Sequence, residues 1–362
     1  MDGHALARAV RARALALGFD KVGFCEALPP AEIVHFDAWL DAGMHAEMEW
    51  LRRGRNRRAD PGLGLRGARS FVVVALSYAP PSLRPEESAG DQPLPGRGFV
   101  ARYARGEDYH HVMGRRLLEL ERFIEGSAPG HRALSYVDTG PFLERLWAAR
   151  AGIGWIGKNA LVLNETMGSF FLLGLVVTTL ELPPDEPALD RCGRCTLCLD
   201  ACPTGAIPAP RVVDSRRCIA YQTIERRGPI PEAERDAVGW HVFGCDDCQT
   251  ACPWNRQGEQ AGAAGIGSHL APRAGAESPS LVELLALSRQ DYIERFRGSA
   301  IKRATWPGLR RNAALALAAS PPRDPGQRRD AVTALRLACG EDEDPAVREQ
   351  AAWSLAALAR RR

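Results

Sequence analysis

Eight of the ten cysteines fall between residues 192 and 252, and no other stretch restricts the chain as tightly. The first run reads Cys192-Gly-Arg-Cys195-Thr-Leu-Cys198-Leu-Asp-Ala-Cys202-Pro203, a lone Cys218 follows, and the second run is Cys245-Asp-Asp-Cys248-Gln-Thr-Ala-Cys252-Pro253. C-x₂-C-x₂-C-x₃-C-P is the spacing by which paired 4Fe–4S cubanes are held: three thiolates grip one cluster and the fourth crosses to the other. It predicts one cluster on Cys192, Cys195, Cys198 and Cys252, and a second on Cys202, Cys218, Cys245 and Cys248. The first cysteine of the second set lies far upstream, at Cys218, so a loop is inserted between ligands.

Zinc also takes four thiolates from paired C-x₂-C knuckles. It does not explain three cysteines at consecutive x₂ spacing, or a trailing Cys-Pro that occurs twice. A disulfide framework is the weakest option, because 362 residues can bury a large core without staples. Composition agrees with a globular protein, 45% hydrophobic and 25% charged. The opening residues Met1-Asp-Gly-His-Ala-Leu-Ala-Arg carry no apolar signal segment, and the longest apolar run, Phe170 to Val177, is too short to span a bilayer. These features predict a cytoplasmic protein with no membrane partner. A formal charge of +3 decides nothing alone, but the basic residues are clustered.

Periodicity predicts helices at Leu6–Leu17, Met44–Leu51, Val112–Glu125 and Glu144–Ala151. It predicts strands at Lys21–Phe24, Phe71–Ala79, Ala133–Val137 and Phe170–Leu182. Arg52 to Pro61 reads as a basic loop and Pro80 to Gly98 as an exposed one. Strands alternating with helices predict an α/β or α+β first half, with Pro183-Pro184-Asp185 separating it from the cysteine module. Further on, Asp324-Pro325-Gly-Gln-Arg328 aligns with Asp344-Pro345-Ala-Val-Arg348 at an offset of 20 residues, and Gly308–Leu315 is a looser earlier copy. Such a repeat suits stacked helices of the HEAT type, or an Ala-rich bundle.

Gly152-Ile-Gly154-Trp-Ile-Gly157-Lys158-Asn159 matches a dinucleotide fingerprint, but that fingerprint needs a strand before the glycines. The segment before them reads as helix, so the glycines are taken instead as a turn that lets backbone approach a large planar ligand. Asp138 ends a strand in a Thr-Gly-Pro turn. It is either a turn residue or a general acid, and the acid role needs partial burial to keep a proton near neutral pH. Asp108-Tyr109-His110 brings acid, phenol and imidazole together, with Asp108 also suited to cap a helix. Cys25 and Cys339 lie outside any metal spacing and read as small buried apolar residues. Arginines gather at Arg52–Arg58, Arg216-Arg217, Arg226-Arg227 and Arg295–Arg303, which suggests a polyanion laid across two domains.

Several of these stretches together resemble the epoxyqueuosine reductases, cobalamin-dependent enzymes of tRNA queuosine synthesis. They are Ala101-Arg-Tyr-Ala-Arg-Gly-Glu-Asp-Tyr-His110, Val137-Asp-Thr-Gly-Pro141, Ala151–Asn159, the double cysteine module with Cys218-Ile-Ala-Tyr-Gln-Thr-Ile-Glu225, Gly244-Cys-Asp-Asp-Cys-Gln249, and Phe296-Arg-Gly-Ser-Ala300. The resemblance covers essentially the whole chain. Reductive dehalogenases share a cobalamin-plus-two-clusters core but lack this helical tail; a small-molecule reductase of that kind is the alternative.

The resemblance implies an α+β protein in three parts: a cobalamin-binding catalytic domain over 1–183, a ferredoxin-like two-cluster module over 184–265, and a helical HEAT-like domain over 266–362. Asp138 is implied as the proton donor. Cobalamin contacts are implied at Arg58, Tyr109, His110, Asp138, Trp155, Ile156, Lys158, Asn159, Val162, Leu173, Cys245 and Asp246. Contacts to the tRNA anticodon arm are implied at Tyr221, Thr223, Glu225, Arg297, Lys302 and Arg303. The implied reaction removes the oxygen of an epoxide on the wobble nucleoside. Electrons for it come from an external low-potential donor, because side chains cannot supply them. A monomer is expected.

Overall fold

The computed structural model describes residues 2–78, 94–255 and 265–360. Most of the loop expected at 80–98, and the stretch just before residue 265, lie outside the described residues.

The N-terminal region is built on a four-stranded antiparallel sheet: β1 (Lys21–Glu26), β2 (Ser70–Ser77), β4 (Ala133–Tyr136) and β7 (Phe171–Thr178), in the order β1-β2-β7-β4. Every residue of β2 is buried, so both sheet faces are covered and its side chains alternate between two cores. Val72, Val74 and Leu76 pack under helices α1 (Gly3–Ala16) and α5 (Tyr109–Ser127). Phe71, Val73 and Ala75 face α6 (Glu144–Arg150), where Phe71 stacks on Trp147 at 4.4 Å. Because every pairing in this sheet is antiparallel, the fold is α+β rather than a doubly wound α/β sheet.

Helix α2 (Ile33–Asp41) and the short helices α3 (Glu49–Arg53) and α4 (Arg55–Ala59) fill the stretch after β1. The helix expected over Met44–Leu51 begins only at Glu49, because Ala46 takes a left-handed φ of 53° that no α-helix continues through. The expected basic loop is instead α3 and α4.

Asp185, at the predicted separator, does not mark a free linker. It accepts two 2.7 Å hydrogen bonds from Arg11 and one of 2.8 Å from the Phe24 N–H, which ties it to β1. The cysteine segment carries helices α7 (Leu197–Asp200), α8 (Ile219–Ile224), α9 (Glu232–Val238) and α10 (Asp247–Thr250). Its strand β8 (His241–Phe243) pairs in parallel with β3 (Phe99–Val100) of the preceding region. A second seam is polar and buried: Asn255 accepts from the Ser169 N–H at 2.5 Å, and Gln249 donates to the Ser169 carbonyl at 3.1 Å. Since buried polar groups must be paired, this network fixes the angle at which the second cysteine run meets the sheet.

The C-terminal region is all helical: α11 (Leu281–Ala286), α12 (Arg289–Arg295), α13 (Trp306–Ala319), α14 (Pro325–Glu341) and α15 (Pro345–Arg360), with a 3₁₀ turn at Ala300–Ala304. The 20-residue repeat is one capped helix with its connection. Asp324 and Asp344 each accept backbone N–H groups of the helix they open, and proline occupies the first helical position, where no N–H is needed. The apolar core of this region also takes in Val100, Ala104, Val242 and Phe243, so it is continuous with both preceding segments. Arg311 and Asn312 of α13 are buried at the same boundary. Arg311 donates to the carbonyls of Gln222, Arg226 and Gly228, and Asn312 to those of Thr223 and Val242.

Candidate active site and cysteine centres

Cys192, Cys195, Cys198 and Cys252 line a single cavity of about 270 Å³, together with Lys158, Asn159, Leu163, Arg191, Pro253 and Trp254. Burial, and then the charges of Cys198, Cys192 and Cys195, push the Cys252 thiol upward. The other four cysteines form a second neighbourhood. Burial, then Cys218, Asp246 and Cys202, raise Cys248, and Cys202 likewise raises Cys218. Cys198 and Cys252 in the first set, and Cys218, Cys245 and Cys248 in the second, resist ionisation chiefly through burial, so a cationic centre is what would hold them as thiolates. The sets meet at one edge, where Cys198 is near enough to act on Cys248.

The folded chain supports these cysteines from the sheet side. Lys158 donates to the carbonyls of Gly193 and Cys195 at 2.9 and 2.8 Å, and Trp155 donates its indole N–H to the Cys192 sulfur at 3.4 Å. Asn159 is buried and donates to the Cys248 carbonyl at 3.3 Å. Trp155 and Lys158, implied as corrin contacts, are therefore both turned to the cysteine cavity. The glycines around them also have a different cause from the one expected. A Cβ on Gly154 would lie 2.0 Å from the Leu163 carbonyl oxygen, and one on Gly157 would lie 2.5 Å from the Leu163 side chain. They are glycines because strands β5 (Trp155–Ile156) and β6 (Val162–Leu163) close upon each other. The preceding segment is α6, and a strand follows, so the nucleotide fingerprint is excluded.

Asp138 is exposed just beyond the end of β4. Its φ of 58° is left-handed, which costs a non-glycine residue about 1 kcal/mol or more. The turn is held by Glu144, whose carboxylate accepts the Asp138 N–H at 2.8 Å. The Asp138 side chain does not bond its own turn. Its Oδ2 accepts from the Tyr109 hydroxyl at 3.0 Å and lies 3.7 Å from His110 Nε2. His110 in turn has Nδ1 2.8 Å from Asp108, which caps α5 through the His110 N–H.

The titrating groups here are strongly biased. The hydrogen bond to Asp108, then the nearby Asp138 carboxylate, raises His110 to about 9. The same contact with His110 holds Asp138 below its ordinary value, although surrounding protein opposes this. Burial, then the Asp138 charge, pushes Glu144 up to about 8. The sequence expectation is a partly buried aspartate; instead 64% of the side chain is exposed, and the neighbouring His110 favours its charged form.

Groups from three regions of the chain surround Asp138. Arg145 faces both Asp138 and Cys218. Arg303, from the C-terminal region, is paired with Glu225 through bonds of 2.8 and 2.7 Å and feels the charges of Asp138 and Tyr109. Tyr103 feels Asp138, Asp246 and Glu225.

Residues 191–255 match the 4Fe–4S double cluster binding domain, and residues 58–139 match the family described as epoxyqueuosine reductase QueG, DUF1730. The epoxyqueuosine reductase of Gloeobacter violaceus is 45% identical over 86% of this chain and 95% of its own length; that of Escherichia coli K12 is 37% identical over 100% and 92%. The chain belongs to the epoxyqueuosine reductase family. A crystal structure of an epoxyqueuosine reductase with an epoxyqueuosine-modified tRNA-Tyr stem loop superposes with a TM-score of 0.87, at 32% identity over 98% of this chain and 90% of that one. The Bacillus subtilis epoxyqueuosine reductase, solved with its catalytic aspartate loop swung out of the active site, gives 0.85 at 30% identity over 98% and 90%.

As a member of the epoxyqueuosine reductase family the protein is an oxidoreductase with an iron–sulfur site of the 4Fe–4S type. The remaining expected site residues divide by location. Arg58 is buried, lies over Trp50, and feels the charge of Glu144. Val162 is buried, Ile156 and Leu173 are half-buried, and Asp246 is buried and accepts from the Arg102 N–H at 2.8 Å. Arg297, Lys302 and Arg303 are exposed.

Two expected RNA contacts are interior. Thr223 is buried, donates to the Ile219 carbonyl and accepts from the Gly244 N–H; Tyr221 is buried with its hydroxyl accepting from the Glu47 N–H. Their side chains face the protein because α8 is only six residues long and packs under α13. Cys25 is buried, as expected, and its thiol is pushed up to about 12 by burial; Cys339 packs against the C-terminal core. Sequence reasoning missed Glu144, Arg145 and the buried His241, which with Asp247 brings ligand atoms within 4.8 Å of Cys245. Glu144 and Arg145 are placed by tertiary contacts, whereas His241 lies four residues before Cys245 and was within reach of a local reading. Among the described residues, no helix is long and apolar enough to cross a membrane.

Proposed function

We propose that the chain reduces epoxyqueuosine to queuosine at the wobble position of tRNA, as a cytoplasmic monomer. In this reading residues 1–183 form the catalytic domain, 184–265 the two-cluster module and 266–362 the HEAT-like RNA-binding domain. The observation that carries the reading is the convergence around Asp138 of Arg145, which also faces Cys218, and of Arg303 from the helical tail.

The donor chemistry fits two 4Fe–4S clusters, with Cys192, Cys195, Cys198 and Cys252 on one and Cys202, Cys218, Cys245 and Cys248 on the other. A corrin would lie between the exposed Asp138 turn and the second cysteine set, which Arg145 links by facing both Asp138 and Cys218. Its contacts would come from Arg58, Tyr109, His110, Ile156, Asn159, Val162, Leu173, Cys245 and Asp246, while Trp155 and Lys158 support it through the cluster loop. Cobalamin and the clusters, when bound, supply the two electrons that side chains cannot.

The chain's own residues supply position and protons. Glu144 fixes the Asp138 turn through its backbone N–H, and Tyr109 orients the carboxyl that meets the epoxide oxygen. An anticodon base enters such a site at small cost because it starts single-stranded. The relative solved with a modified tRNA stem loop supports an RNA partner. Exposed Arg297 and Lys302, with the Glu225–Arg303 pair, would meet that RNA.

Anaerobic purification with iron and cobalt analysis, a visible spectrum and a gel shift against an epoxyqueuosine stem loop tests the reading. Brown protein that takes up cobalamin, binds the stem loop and converts it is expected. Full activity without iron or cobalt would refute it.

A further inference from the structure

We infer that His110 is the proton store for Asp138, through an Asp108–His110–Asp138 relay that loads the carboxyl and then reloads it. The inference rests on the function proposed above and deepens it. Converting an epoxide to an alkene and water consumes two electrons and two protons, whereas one carboxyl delivers one proton each time it is loaded. Asp138 is also poorly suited to hold a proton, being open to water and beside an imidazolium.

The first turn of α5 builds the relay. Asp108 Oδ1 accepts from Nδ1 of His110 at 2.8 Å, which fixes the ring and turns Nε2 toward Asp138 Oδ2, 3.7 Å away. Tyr109 stacks on the imidazole with centroids 4.1 Å apart while its hydroxyl donates to the same Asp138 oxygen. The imidazole is one-third exposed, so it recovers a proton from water.

The other charged groups facing this pair are Glu144 and Arg145 from α6, Arg303 from the tail, and Tyr103; Arg58 lies beside Glu144. None of them replaces His110. The Tyr109 phenol is pushed far above its ordinary value by burial and the Asp138 charge, and so does not release its proton. Glu144 meets Asp138 through the backbone N–H.

In each delivery the His110 ring closes the 3.7 Å gap to hydrogen-bond distance, its Nε2 proton passes to Asp138 Oδ2, and the Asp138 carboxyl gives a proton to the substrate oxygen. The first delivery accompanies cleavage of one C–O bond and leaves a hydroxyl. The second accompanies cleavage of the other C–O bond, releasing water as the C=C bond forms. The two electrons come from a low-potential one-electron donor by way of the cysteine centres. His110 acts through Asp138, so it is a positioning and proton-holding residue.

Two measurements test this with the full chain. Turnover of the loaded enzyme on an epoxyqueuosine stem loop is expected to fall as pH rises through about 9, the range in which His110 loses its proton. Asp108→Asn, which keeps the helix cap, should move that limb lower by a pH unit or more. His110→Gln should lower turnover by about 100-fold and abolish the limb with stem-loop affinity unchanged, whereas Glu144→Gln should keep it. Independently, the His110 ring proton followed by NMR should titrate near 9 and shift toward the ordinary value of about 6.5 in Asp108→Asn. A His110→Gln enzyme at wild-type rate, an unmoved limb in Asp108→Asn, or a ring titrating at its ordinary value would overturn the relay. The ring titration needs no substrate or cofactor, so it separates failure of the relay from failure of the proposed reaction, which would show as wild-type enzyme inactive on the stem loop.

Discussion

At the scale of single residues, the candidate site is a set of groups whose protonation is decided by their neighbours. Asp138 is an ordinary carboxyl by composition. Its left-handed φ, its N–H on Glu144 and its contact with His110 come from residues six or more positions away in sequence. Replacing Asp138 with Asn keeps the shape and removes the proton; turnover should fall by roughly 10²–10⁴-fold while stem-loop affinity is retained, measured by single-turnover assay and gel shift. The His110 pair also makes stability depend on pH. Folding raises the His110 pKa, so its stabilising contribution is complete below the unfolded value of about 6.5 and is lost as pH rises through about 9. Thermal midpoints should drift down across that window in the wild type and less so in His110→Gln.

At the scale of elements, the β5–β6 hairpin and the cysteine loop act as one unit. Trp155 and Lys158 reach from the hairpin to Cys192, Gly193 and Cys195, while Gly154 lets the hairpin close on Leu163. An alanine at Gly154 would put a Cβ 2.0 Å from a backbone oxygen, which no side-chain motion relieves. Gly154→Ala should cost about 3 kcal/mol of stability and lower iron occupancy, seen by thermal unfolding and metal analysis. The crossed ligand assignment makes a sharper claim. Cys245→Ser should leave about four irons per chain where two cubanes hold about eight; an unchanged content would remove Cys245 from the ligand set.

At the scale of the whole molecule, the helical tail is bolted on by buried polar groups as well as by its apolar core. Arg311 gives its donors to three carbonyls of the segment between Gln222 and Gly228. Arg311→Met would leave those acceptors unpaired at about 1–3 kcal/mol each where they stay dry, so α13 should loosen from the module. Hydrogen exchange of residues 219–228 and 306–319 should quicken together. The tail's charge has a separate readout. Neutralising Arg297 and Lys302 should weaken stem-loop binding and flatten its dependence on salt by close to one unit of slope per lost phosphate contact; a slope equal to wild type would exclude them.

The sequence determined which atoms could do chemistry, because spacing along the chain is itself the constraint there. Cysteine runs, the Asp-Pro caps and the strongly apolar strands β2 and β7 are all local patterns, and the caps and strands lie within a few residues of where the sequence placed them. Only the tertiary structure decided how those atoms behave. It set the antiparallel strand order, turned Trp155 and Lys158 toward the cysteines, buried Tyr221 and Thr223, and placed His110 beside Asp138. Those outcomes depend on contacts between segments far apart in the chain, where packing and electrostatics act across space and leave no periodicity to read.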